Sequence, residues 1–160
     1  MDTDSRSNRA AIIALVSGLT TLVLVTACAR TSVQDVRVMA SGVPKPSMVL
    51  VYPFAASGGV VTLSGGASDT FVVNVTGRFV LTGGSKIVAS GPPPSAVLYN
   101  IVGTGPAVAL SGMASIDGTI LAVERDITLT PAIVNGEVIG GQKMSITSNA
   151  SVRCPSCPVP

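Results

Sequence analysis

Two unlike blocks of this chain recur at one spacing, and that spacing limits the possible folds more than any single residue does. Val61-Thr62-Leu63-Ser64-Gly65-Gly66 is answered 18 residues later by Phe79-Val80-Leu81-Thr82-Gly83-Gly84. Asp117-Gly118-Thr119-Ile120-Leu121-Ala122 is answered, again at 18, by Asn135-Gly136-Glu137-Val138-Ile139-Gly140. Ala132 and Ala150 share the interval, while Ile127 and Leu129 match Met144 and Ile146 at 17, a slip of one residue. From Met48 on, short runs of Val, Ile, Leu and Thr alternate with Gly, Ser, Asn and Pro, which are strand signals with turn punctuation. No useful apolar stripe of helical period follows residue 30. A unit this short cannot bury its apolar side alone, so the period predicts an all-β, β-helix-like solenoid of about 18–20 residues per coil.

A β-sandwich competes for the same residues. Asp117-Gly118 and Asn135-Gly136 between apolar runs are hairpin signals, because a type I′ turn needs positive φ. Solenoid corners need it too, so Gly118 and Gly136 serve either fold. Gly65 and Gly83 close the other repeated pair and are read as turn glycines as well. Equal spacing of unlike blocks favours the solenoid.

Composition narrows function. Ten Lys and Arg stand against eight Asp and Glu, for a net charge of +2, and aromatics are 3%. No basic stripe forms, so nucleic acid is not an expected partner. The chain has no His, which removes the commonest general base and metal ligand. Asp35, Asp69, Asp117, Glu124, Asp126 and Glu137 make no catalytic spacing, and neither a G-x-S-x-G nor an S-x-x-K motif occurs. A non-enzymatic protein without a cofactor is expected.

The N-terminus points out of the cytoplasm. Arg6 and Arg9 precede an apolar stretch from Ala10 to Ala27 that closes on Leu24-Val25-Thr26-Ala27-Cys28. Basic start, apolar middle and small residue before a cut are the parts of a secretory signal peptide. The Cys after them resembles the lipobox of bacterial lipoproteins. That resemblance implies cleavage of residues 1–27 and lipidation of Cys28, with a retained membrane helix as the alternative. Either outcome places the remainder outside the cytoplasm at a membrane, the outer one in a diderm cell. Cys154 and Cys157 then remain as an even pair, read as a candidate disulfide, with free thiols or a redox or metal role as alternatives. The expected organisation is a leader over 1–27, a tether over 28–47, the solenoid over 48–151 and a Cys/Pro-rich tail over 152–160.

The second half carries a family resemblance. Val97-Leu98-Tyr99-Asn100-Ile101, Val108-Ala109-Leu110-Ser111-Gly112 and the two Asp/Asn-Gly blocks look like the choice-of-anchor A family, also described as a collagen-binding or adhesive domain of bacterial surface proteins. Asp69 to Val75 and Phe79 to Gly84 extend the likeness upstream, although the Pro that commonly follows the first Asp/Asn-Gly block is replaced by Val123-Glu124. The resemblance implies a solenoid adhesin whose partner is extracellular matrix or a surface polymer. The same rungs are similar to the bacterial ice-binding domain, where Thr128-Leu129-Thr130 stacked near Ser145-Ile146-Thr147 would start a hydroxyl row. A structural envelope lipoprotein is the remaining alternative.

Overall fold

The computed structural model describes residues 54–147 and 149–154 in full, and the strand paths of Val23–Val25, Asp35–Met39 and Ser47–Val51. Among the described residues the strands are β1 (Val23–Val25), β2 (Asp35–Met39), β3 (Ser47–Val51), β4 (Phe54–Ser57) and β5 (Val60–Ser64). They continue as β6 (Phe71–Val75), β7 (Phe79–Thr82), β8 (Lys86–Ser90), β9 (Val97–Ile101) and β10 (Val108–Asp117). The last are β11 (Thr119–Ala122), β12 (Ile127–Asn135), β13 (Val138–Gly140), β14 (Met144–Ile146) and β15 (Ser151–Arg153).

The fold is an all-β solenoid of parallel strands. One sheet runs β1-β3-β6-β9-β11-β13 and forms the first face. The other bends into two faces, because β10 and β12 are long enough to turn a corner. Their first halves continue the row begun by β4 and β7 and extended by β14, which is the second face. Their second halves continue the row of β2, β5 and β8 and lead to β15, which is the third face.

Alternation drives this winding. β6 and β9 read buried-intermediate along their length, so Phe71, Val73 and Val75 point inward above Val97, Tyr99 and Ile101. Ile120 and Ala122 extend the columns, all within a few percent of full burial. Strands buried on one side and bonded on both edges need Val, Ile and Leu at every second position, which the chain supplies. Phe54 stacks on Phe79 with ring centroids 5.6 Å apart, and Tyr99 tilts against Phe79 at 5.9 Å. Offset rings at that distance add attraction beyond their buried area.

The period holds at the C-terminal end. Ile116 pairs with Val134 and Val134 with Val152, 18 residues per coil on the third face. Ile127 pairs with Met144 and Leu129 with Ile146, so the one-residue slip is a real register on the second face. Earlier coils are longer: Val61 pairs with Ile87, 26 residues on, and Ile87 with Ile116, 29 on. The first 18-residue pair corrects the sequence reading. β5 lies on the third face and β7 on the second, so Gly65 and Gly83 do not stack. The Gly65 amide donates to the Ser90 carbonyl at 3.0 Å, whereas Gly83 sits between Gly58 and Gly112. Gly83 adopts φ 59°, while Gly65 is not among the residues at positive φ.

Candidate surface-binding face

The outward positions of the second face form two straight files. Alternation sends Phe54, Phe79, Val108 and Ile127 inward, which leaves Ala55, Val80, Ala109, Thr128 and Ser145 stacked outside. Two residues further along each rung stand Ser57, Thr82, Ser111, Thr130 and Thr147. Thr147 follows β14 and is held by its backbone N–H, which donates a hydrogen bond to the Leu129 carbonyl at 3.0 Å. Its hydroxyl lies 2.9 Å from that of Thr130. Strand geometry sets roughly 4.8 Å between rungs and about 6.7 Å between files. None of the ten side chains is charged or aromatic, and none is longer than Val. The face is repetitive, and its ten side chains carry no carboxylate, amine or thiol.

Corners fix this face. Arg125 is 2% exposed and lies two residues before β12. Its Nε donates to the Gly103 carbonyl at 2.7 Å and its Nη2 to Val102 at 2.7 Å and Thr76 at 3.4 Å. Nη1 donates to the Gly77 carbonyl. One guanidinium thus ties the two corner loops that lead into β7 and β10 to the one that leads into β12. Nothing in the sequence period flagged it; a lone Arg between an apolar strand and Asp126 reads as a solvated charge.

The Asp/Asn-Gly blocks meet as the spacing predicted. Asp117 lies in register with Asn135, whose amide donates to Asp117 Oδ1 at 2.8 Å. Asp117 Oδ2 accepts the Ala89 amide at 3.1 Å, and its carbonyl accepts the Tyr99 hydroxyl at 3.0 Å. Burial, reinforced by the Asp117 charge, raises the Tyr99 phenol well above its ordinary pKa. Gly118 and Gly136 stack directly: a Cβ on Gly136 would run into the Gly118 carbonyl. Gly118 adopts φ 131°, but Gly136, at φ 158°, is needed for this close approach more than for its turn. Asn100 donates to Asn74 at 2.8 Å on the first face, a side-chain ladder of the same kind. Cys154 is disulfide-bonded. Cys28 and Cys157 lie outside the described residues.

Residues 30–153 match the family described as "Putative Ice-binding-like adhesive domain". The chain belongs to this family. The match covers both sheets except β1, and it starts after the apolar N-terminal stretch. It does not report choice-of-anchor A. Comparison with curated proteins and with solved structures gives no match. Membership of an adhesive family points to a non-catalytic domain that binds some surface and acts outside the cytoplasm.

Proposed function

We propose that this adhesive domain grips an ordered, uncharged surface polymer through its second face, and that a lipid on Cys28 holds it at the cell boundary. The observation that carries this reading is the unbroken hydroxyl file Ser57, Thr82, Ser111, Thr130 and Thr147. One small hydroxyl per rung offers an ordered partner acceptor oxygens at rung spacing, although the Thr82 hydroxyl also donates to the Ala56 carbonyl at 3.4 Å and those of Thr130 and Thr147 share a hydrogen bond. Absence of charge on the face keeps the desolvation cost of such a contact low. Anchoring is where the choice-of-anchor A resemblance bears, since attachment by lipid is one way to hold such a domain at the envelope.

The test is adsorption of the full chain to microcrystalline cellulose, as an ordered neutral polymer, before and after Thr130→Tyr. A ring between Ser111 and Thr147 lifts the partner off both neighbouring rungs, so retention should collapse while the circular dichroism spectrum holds. Unchanged retention would remove the second face from consideration. For the anchor, Cys28→Ala should move the protein from the detergent phase to the aqueous phase of a membrane extraction. Peptide mapping without reductant should find Cys154 joined to Cys157.

Ice is a second reading, favoured by one observation. At the C-terminal rungs both files carry hydroxyls, giving a two-by-two array of Thr128, Thr130, Ser145 and Thr147. Inhibition of ice recrystallisation by the wild type, lost in Thr130→Tyr, would identify that lattice as the partner.

A further inference from the structure

The corner between the second and third faces uses one backbone shape on three successive rungs. Gly58 and Gly59 adopt φ 73° and 83°, Gly83 and Gly84 φ 59° and 72°, and Gly112 and Met113 φ 61° and 64°. In this left-handed region glycine is at ease, whereas a side chain crowds its own backbone. Two rungs therefore solve the corner with a glycine pair, and the third places Met113 where glycine would serve better. The side chain gains no burial in return. Met113 is 64% exposed, more than any other large apolar side chain among the described residues.

The local register explains how it is presented. Ser111 pairs with Thr130 and Ala114 with Ala132, so Gly112 and Met113 stand opposite Pro131 alone. This bulge re-aims a side chain that would otherwise follow the alternation of the strand. It places Met113 two residues past Ser111, at the rim of the hydroxyl file.

We propose that Met113 is a contact residue of the adhesive face, an apolar anchor that seats on the CH surface of a neutral polymer while the hydroxyl file engages its polar edge. This rests on the reading of the second face as the binding face. Strain kept at an exposed position with no packing return is the pattern expected of a residue retained for contact. The thioether suits it, because an unbranched, polarisable side chain adapts to an irregular apolar surface.

Stability and binding should move apart. The full chain carrying Met113→Gly, Met113→Leu or Thr130→Tyr is compared with wild type by thermal unfolding and by adsorption isotherms on microcrystalline cellulose. Met113→Gly should melt at the same temperature or higher, yet half-saturate at roughly tenfold higher concentration, as loss of one apolar anchor implies. Met113→Leu should bind close to wild type. If Met113→Gly binds like wild type while Thr130→Tyr does not bind, the proposal is overturned and the reading of the face stands. If both variants bind like wild type, both fall. A Met113→Gly protein that loses stability together with binding assigns Met113 to packing and overturns the proposal, as does a wild type that cellulose does not retain.

Discussion

Replacing Arg125 by Met should cost the domain about 2–4 kcal/mol, and the figure follows from what its guanidinium touches. Four carbonyl oxygens accept from it, those of Thr76, Gly77, Val102 and Gly103. Thr76 and Val102 are exposed residues, so water can replace the lost donor at their carbonyls. Gly77 and Gly103 are half-buried, and each acceptor left unsatisfied costs about 1–3 kcal/mol. Against that sum stands the desolvation of a buried cation, which Met removes. A domain of this size has about 5–15 kcal/mol in total, so the loss is large but leaves a folded protein. Urea unfolding of the full chain, followed by circular dichroism, should show a lower midpoint at unchanged slope. Arg125→Lys should fall between the two, because a compact ammonium cannot span two corner loops as a planar fork does. An Arg125→Met midpoint equal to wild type would refute the reasoning: the carbonyls would then be as well served by water, and the clamp would hold nothing.

Gly136→Ala should destabilise by about 2 kcal/mol or more, since its Cβ meets the Gly118 carbonyl and the rungs cannot separate without losing ladder bonds; a melting curve like that of wild type would contradict the stack. The Tyr99 phenol is raised in the folded state, so its contribution is fully present below the unfolded pKa of about 10 and is lost as pH rises through the higher folded value. In an alkaline titration by ultraviolet absorbance, Tyr99 should ionise only as the fold opens, and Tyr99→Phe should abolish that component. Reduction of the Cys154 disulfide should cost at most about 2 kcal/mol if it closes the short loop to Cys157; a larger loss in urea unfolding would argue for a longer loop.

The sequence disclosed the winding but mistook one of its two witnesses. Asp117-Gly118 and Asn135-Gly136 lie one coil apart, on corners with no insertion between them, so their spacing is the length of that coil. The Leu63-Ser64-Gly65 and Leu81-Thr82-Gly83 pair lies within a single turn of the chain, on two different faces. Each strand of a multi-sided solenoid ends at a corner, and corners on different faces use the same apolar-hydroxyl-glycine ending, as at Ala56-Ser57-Gly58, Leu63-Ser64-Gly65 and Leu81-Thr82-Gly83. Faces of one coil can therefore mimic successive coils. Longer early coils follow from corner segments such as 65–70, 91–96 and 102–107, whose Gly and Pro content shows a loop but not the face it leaves. The hydroxyl file was half legible: Thr128 to Thr130 over Ser145 to Thr147 was visible at its slip of 17, whereas Ser57, Thr82 and Ser111 join it only through unequal coil lengths. Arg125 was illegible, because its partners lie 22 to 49 residues upstream and are all backbone.

The dimensions of the face also decide how adhesion must work. Five rungs at about 4.8 Å make a file roughly 19 Å long, and two files with their flanks give on the order of 300 Å². A stable protein contact commonly needs about 800 Å² from each partner. One copy therefore binds weakly, and Ala, Ser and Thr add few of the large anchors that concentrate binding energy. Adhesion of useful strength then needs many copies acting together, which the lipid anchor proposed for Cys28 would provide through high effective concentration in a membrane. The consequence is measurable. Full chain displayed on lipid vesicles should be retained on cellulose at least about a hundredfold more strongly, per molecule, than the same chain dispersed in detergent. Equal retention in both forms would mean that a single copy already binds tightly, and the flat face would be too small to account for it.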